Sequence, residues 1–318
     1  MEIEARVKYY LGNLYLYHSF KKRLEYSFED YEKDKMISYH KTHYIDKDIL
    51  HSNNYDNQIR HYISDLRKII NNAELNDYKI LIKLGDLNCK LDKFTFTKTR
   101  PIDMKNNYNI LLNLNTPRHW GCLWEVDKYD IPFTSKQNKI IWRGTNTGDK
   151  DSQLNLRYQL ISKYQNYPNK NIDVRFSHLS QYNDSSQNFI FDKMSIKDLL
   201  QNKFLISVEG NDVATNLKWI MYSNSVVIMP KPKIASWFME DTLIPDYHYI
   251  EVKSDFSDLE EKFTWCCKNL DKCEKITKNA KLYVGQFLNE DKEKEIEKKI
   301  IDIYTNIIDI KLINSIKR

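Results

Sequence analysis

The chain of 318 residues is 41% hydrophobic and 13% aromatic, with 22 tyrosines, enough for a sizeable core in one large domain or two of about 150 residues each, and not a disordered composition. Its 49 basic and 44 acidic residues leave a net charge of +5, too small an excess for nucleic-acid binding, although it permits loose attraction to an anionic membrane surface. No run of ~18 apolar residues exists, which excludes a transmembrane helix, and the start, MEIEARVKYYLGNLYLYHSF, lacks the apolar core of a signal peptide.

Residues 1–50 are aromatic and charged and read as helical, without a repeat. Ile59, Tyr62, Ile63, Leu66, Ile69 and Ile70 recur at helical spacing and predict an amphipathic helix over 55–73. The apolar run 78–84 predicts a strand ending in a turn at Gly85-Asp86. Residues 93–97 (KFTFT), 108–114 (YNILLNL) and 138–142 predict three more strands. Phe204 to Val208 is a buried strand, broken by Glu209-Gly210-Asn211-Asp212. Val213, Leu217, Ile220 and Met221 then share one face of a helix that Asn211 or Asp212 can cap. Ser225 to Met229 is the next strand, ended by Pro230.

Ser257-x-x-Glu260 reads as a capping box opening a helix with Leu259, Phe263, Cys266 and Leu270 on one face. A second helix carries Cys273, Ile276, Ala280, Tyr283 and Phe287. The segment 291–318 opens with a charge run and continues as an isoleucine-rich helix. Strands alternating with helices predict an α/β architecture with parallel sheets. Five cysteines, with Cys266 and Cys267 adjacent, form neither a disulfide framework nor a zinc spacing, so a reduced, cytoplasmic chain is expected.

Of only seven glycines, Gly85, Gly144, Gly148 and Gly210 fall in loops at predicted strand ends. Such positions suit turns, or close approach of the backbone to a ligand at the carboxyl ends of parallel strands. The strand, polar turn and helix over 204–222 suit a phosphate, with Lys218 adding charge; an ordinary capped αβ unit fits the same spacing. Asp149-x-Asp151 and Asp46-x-Asp48 match the acidic pair that holds a divalent cation in some transferases. Neither follows a clear buried strand, and no metal is expected. His40-x-x-His43 with Asp46 lacks the i, i+4 spacing of a helical metal site.

The wording GNDVATNLKW, followed by SNSVV, MPKP, SWFME and PDYHY, resembles glycosyltransferase family 90. So do Gly85-Asp86, Thr99-Arg100-Pro101-Ile102 and Trp142-Arg143-Gly144-Thr145. The likeness is closer to the bacterial lipopolysaccharide-A type than to Rumi-type protein O-glucosyltransferases, with capsule-associated xylosyltransferases also related. It covers roughly residues 78–290 and is weak over 103–135 and 150–200. It implies a GT-B-like fold: two Rossmann-like domains with a cleft between them and a C-terminal helix packing back on the first. The acceptor-side domain would be 1–135 plus 291–318, and the donor-binding domain 136–290.

The resemblance further implies inverting, metal-independent transfer from a UDP-sugar (glucose, xylose or similar), with no other cofactor, to a glycan or glycolipid acceptor such as lipopolysaccharide. Asp86 matches the family's proposed base, and Arg100 lies in an acceptor-side motif. The donor would meet Arg143, Gly144, Thr145, Arg157, Glu209, Gly210, Asp212, Thr215, Asn216, Lys218 and Glu240. Rumi-type relatives carry an arginine where Asn216 stands, so Lys218 or Arg157 is expected to supply that charge. Trp237 and Tyr247 are candidates to stack on base or sugar, although Trp237 reads equally well as core. Rumi-type relatives act in the secretory pathway, whereas this chain is expected in the cytoplasm, with the inner membrane face open to it. The rival reading is a catalytically inactive carbohydrate-binding or assembly protein that keeps the fold. Removing the charge of Asp86 is expected to leave the melting temperature unchanged or raised.

Overall fold

The structure, a computed structural model, describes residues 2–28, 36–52, 54–151, 153–181 and 188–312. In chain order the first elements are α1 (Ile3–Leu11), α2 (Leu14–Ser19), β1 (Leu24–Phe28), β2 (Thr42–Ile45), α3 (Lys47–His51), α4 (Arg60–Ala73), β3 (Ile80–Lys83), β4 (Thr95–Thr97), β5 (Thr99–Pro101) and β6 (Asn109–Leu111). There follow α5 (Thr116–Trp120), α6 (Leu123–Tyr129), β7 (Gln137–Thr145), α7 (Leu156–Tyr164), β8 (Ile172–His178), α8 (Ile196–Leu199), β9 (Asn202–Ile206), α9 (Leu217–Tyr222) and β10 (Val226–Pro230). The last are β11 (Ile234–Ser236), β12 (Ile250–Val252), α10 (Leu259–Lys268), α11 (Leu270–Gly285), α12 (Glu290–Ile307) and β13 (Ile308–Leu312).

These elements form a mixed α/β protein with two compact units. Unit 1 comprises Met1–Thr116, Ile234–Phe238 and Leu288–Arg318; unit 2 comprises Pro117–Lys233 and Met239–Phe287. Unit 2 is built on a five-stranded sheet in the order β12-β10-β9-β7-β8, with every pair parallel. Numbered along the chain, that order is 2-1-3-4-5, a doubly wound arrangement that reverses direction between β7 and β9. Every residue of β9 and β10 is buried, as expected of central strands covered on both faces. Edge strand β8 alternates, burying Ile172, Val174 and Phe176. Leu160 and Ile161 of α7 and Phe263 and Cys266 of α10 complete this core.

Unit 1 has a four-stranded sheet, β2-β3-β4-β6, in which only the β2–β3 pair is antiparallel. Two further two-stranded pairs are the parallel β1–β13 and the antiparallel β5–β11. Its interior is partly polar. The fully buried Arg6 forks onto both carboxylate oxygens of Glu293 and donates to Tyr10 Oη at 2.8 Å. Trp237 stacks on Tyr10 at 3.8 Å and donates its indole N–H to Glu293 at 2.6 Å. The amphipathic α4 buries Tyr62, Ile63, Leu66, Ile69 and Ile70 on one face and stops where Glu74 turns left-handed.

Four sequence expectations need correction. Residues 1–50 hold strands β1 and β2 as well as helices. The isoleucine-rich end of the chain leaves the helix at Ile307, and Ile308–Leu312 pairs with β1. There the β-branched residues alternate, with Ile308 and Ile310 buried, which suits a strand; residues 313–318 of the expected helix lie outside the described residues. Helix α9 is short, beginning at Leu217, so Val213 lies in the loop. Neither Asn211 nor Asp212 caps it: Asn216 holds the N-cap position, and its side chain makes no capping bond to the helix. Ser257 forms no capping box, because its N–H is taken by Asp255 at 3.1 Å, while Ser195 and Asp198 form one before α8. Among the described residues no helix is long and apolar enough to cross a membrane.

Candidate functional site

In unit 2, β7 and β9 end side by side where the strand order reverses, so the loops that follow them flank the sheet's natural ligand crevice. Arg157, in the first turn of α7, ties these loops together. Its guanidinium donates to Thr145 O at 3.1 Å, Thr145 Oγ1 at 3.2 Å and Thr147 Oγ1 at 2.6 Å after β7. After β9 it donates to Val208 O at 3.0 Å and Glu209 O at 3.3 Å. Gly210 is needed for this fit, since a Cβ there would lie 2.7 Å from Thr147 Oγ1 and 2.8 Å from Arg157 Nη2. Asn216 closes the second loop on itself, donating to Ile206 O and accepting from Ser207 Oγ, both at 3.0 Å.

Beside these loops lies an open pocket of about 340 Å³ at the carboxyl ends of β9 and β10. Ser207, Glu209, Leu217, Lys231 and Glu240 are among its lining residues. Glu209 accepts from Lys233 N–H at 2.9 Å. Glu240 is buried, with Lys218 Nζ 3.5 Å from its Oε1, and Lys218 also lies over the Trp120 ring at 5.7 Å. Lys218 is therefore a buried counter-ion, not a cation at the mouth of the turn. Among the described residues, the cation in the pocket lining is the exposed Lys231, which sequence reasoning missed.

Other expected donor residues lie apart from the pocket lining. Arg143 ties β7 to its neighbour, reaching Asp173 at 2.8 Å and Asp192 at 2.7 Å. Gly144 makes room for the Trp142 ring, which would lie 2.4 Å from a Cβ, and Thr145 Oγ1 lies 3.3 Å from Thr147 Oγ1. Asp212 is buried and its carbonyl accepts from Gly210 N–H at 3.0 Å; Thr215 is half-buried in the same loop. Trp237 belongs to the core of unit 1, and Tyr247 is half-exposed against His248.

The acidic pairs have local tasks. Asp149 accepts from Asp151 N–H and Asp151 from Gln153 N–H, each at 2.9 Å, as in Asx turns. Asp46 caps α3 through Ile49 N–H at 2.9 Å, and His43 bonds to the backbone of Ser38. Among the described residues no group of three metal-ligand side chains occurs.

Asp86 lies in unit 1, just beyond the end of β3. Gly85 before it has φ +114°, and a Cβ would meet the Tyr39 ring at 3.0 Å, so only glycine makes this turn without strain. Asp86 N–H donates to Tyr39 Oη at 3.2 Å, and Lys98 Nζ lies 2.8 Å from Asp86 Oδ1, with both side chains almost buried. Burial, and next the Asp86 charge, push the Tyr39 phenol far above its ordinary value. Burial lowers the neighbouring His40 although Asp86 pulls it upward. Arg100 turns elsewhere: it donates to Tyr9 O at 2.6 Å and Tyr10 O at 3.2 Å, at the carboxyl end of α1, and covers the Tyr9 ring. Tyr39 and Lys98 were missed in the sequence; the available signal was a lysine directly after the predicted strand 93–97, beside the motif that drew attention to Arg100.

The profile of glycosyl transferase family 90 matches residues 119–315. O-glucosyltransferase LpsA of Dichelobacter nodosus is 32% identical over 232 residues, which is 73% of this chain and 68% of that protein. The chain belongs to glycosyl transferase family 90 and is a glycosyltransferase. It is also similar to protein O-glucosyltransferase 3 of Homo sapiens, 29% identical over 96 residues (30% of this chain, 18% of that protein). Uncharacterized protein 179R of Invertebrate iridescent virus 6 is 25% identical over 223 residues, 60% of this chain and 19% of that protein. The matched stretches thus cover less than a fifth of the length of either of these two.

Proposed function

We propose that this protein is a GT-B-like, inverting glycosyltransferase that moves a sugar from a UDP-sugar, glucose foremost, to a hydroxyl of a glycan or glycolipid such as lipopolysaccharide. The observation that carries the donor assignment is the pocket at the carboxyl ends of a 2-1-3-4-5 parallel sheet, within the residues the family profile matches. Glucose and an oxygen acceptor are supported by the names of the similar O-glucosyltransferases. Glu209 and Glu240 suit sugar and ribose hydroxyls, and Lys231 is the cation we assign to the diphosphate, since Arg157 and Lys218 face protein groups.

In the reaction the acceptor oxygen bonds to the anomeric carbon as the bond from that carbon to the diphosphate breaks. The electron pair leaves with UDP, and the hydroxyl proton passes to Asp86, our assigned base. Thermal unfolding with a panel of nucleotide-sugars tests the donor. A ligand at 100 times its Kd stabilises by about 2.7 kcal/mol, and a panel in which no UDP-sugar raises the melting temperature would sink this reading. The anomeric configuration of the product, read by NMR, tests inversion.

A further inference from the structure

We infer that Lys98 is a positioning residue for the transfer step, gripping Asp86 Oδ1 so that the carboxylate is held in the orientation in which it takes the acceptor's proton. This rests on Asp86 being the base. Lys98 Nζ lies 2.8 Å from Oδ1, with side chains 3% and 10% exposed. A charge pair so far from water is costly unless its geometry is good, and removing one partner strands the other.

The pair is held at several points. Thr99 Oγ1 donates to Leu87 O at 2.8 Å, which ties the residue after Lys98 to the residue after Asp86. The Asp86 N–H is anchored on Tyr39 Oη, and the Tyr62 ring of α4 lies 5.8 Å from Lys98 Nζ. Among the described residues, the titratable and charged groups that face this cluster include Tyr39, His40, Tyr62 and Lys83. Burial keeps Tyr39 a phenol and favours a neutral His40, so neither replaces the ammonium.

The positive charge of Lys98 favours the ionised carboxylate, so the base stays available toward low pH. Loss of that charge has two consequences that a merely structural pair would not have. The carboxylate becomes free to rotate, lowering kcat, and it binds a proton more readily, moving the acid limb of the pH profile upward.

The test uses the full chain with Lys98→Met, Lys98→Arg and Asp86→Asn, measuring kcat, KM for both substrates, UDP Kd and the pH dependence of kcat. Lys98→Met is expected to lower kcat by about 10- to 100-fold, as does a small misplacement of a reacting group. Its acid limb should move up by about a pH unit or more, with UDP Kd unchanged. Lys98→Arg should keep the acid limb in place and recover part of kcat. Wild-type kcat in Lys98→Met, or a loss of kcat without movement of the acid limb, overturns the inference. Should Lys98→Met fail to fold, Lys98→Arg decides: reduced kcat with an unmoved acid limb supports the role, and wild-type kcat overturns it. Wild-type turnover in Asp86→Asn instead removes Asp86 as the base, a failure recognisable whatever Lys98 does.

Discussion

Unit 2 shapes its pocket with backbone, whereas unit 1 sets its candidate base with buried charge. In unit 2 five parallel strands bring two loops together, and a single arginine stitches them mainly through carbonyl and hydroxyl oxygens. In unit 1 short strand pairs surround ion pairs and stacked rings: Asp86 with Lys98, and Arg6 with Glu293, Tyr10 and Trp237. A continuous sheet fixes positions by hydrogen-bond register, so the buried Lys218–Glu240 pair adds charge to loops whose places the strands already set. A patchwork of small sheets lacks that scaffold and leans on charge-assisted bonds, which makes it sensitive to protonation and to the loss of one partner.

The largest effect should come from Asp86→Asn. Turnover should fall by about 10²–10⁴, with UDP Kd unchanged, because the pocket assigned to the donor is built from unit 2 residues. The expectation that stability holds or rises is revised, since the amide leaves the buried Lys98 ammonium without its carboxylate. A lower melting temperature is now expected, and an unchanged one would mean that the pair adds nothing to the fold.

A second test reads pH. Glu297 on α12 is held at about 8, first by burial and next by Glu293, with Asp65 adding to the rise and Lys68 opposing it. A carboxylate raised from its ordinary 4.5 binds its proton more tightly when folded. Its contribution to stability is therefore full below about pH 4.5 and is lost as pH rises through about 8. By linkage the loss can reach roughly 5 kcal/mol. Hydrogen exchange in α12 should speed up between pH 5.5 and 8.5 more than exchange in β9 and β10 does, after correction for intrinsic rates, and Glu297→Gln should remove that excess. Equal pH dependence in both units would break the comparison.

Arg157 sharpens it from the other side. If the guanidinium fork holds the loops, a lysine at this position cannot replace it. Arg157→Lys should then weaken UDP binding nearly as much as Arg157→Ala, by roughly 10-fold or more for about 1.5 kcal/mol of lost charge-assisted bonding. Affinity retained by the lysine variant would show that the charge matters and the stitching does not. The smallest effect expected is that of metal removal. With Asp149 and Asp151 engaged in turns, activity in EDTA should stay near its starting value, and loss restored by manganese would return them to the site.

Much of unit 2 was legible in the amino-acid order. The apolar runs at 204–208 and 225–229 fall within two residues of β9 and β10, because strands buried on both faces must be continuously apolar. The turn at 209–212 was legible for a similar local reason, its glycine and polar residues. Helix α4 stood out in unit 1 because its apolar face repeats at the helical period. Less legible were α9 and the end of the chain. Val213 and Leu217 fit a helical face, yet the loop lies non-helical until Leu217, held by Asn216 and Arg157. Ile308 and Ile310 suit helix or strand in isolation, and pairing with Leu24–Phe28 decides for strand.

The sequence by itself determined the α/β character, the family and the loops that flank the pocket, since periodicity, glycine placement and motif order are local properties. Tertiary structure alone decided what the charged side chains around the two candidate sites do. Lys218 is the partner of Glu240, Arg157 a clamp on four loop residues, Arg100 a cap on α1, and Asp86 the partner of Lys98. A long charged side chain reaches groups far away in sequence, and the nearest opposite charge or open carbonyl is set by which elements pack beside it. No local pattern carries that information.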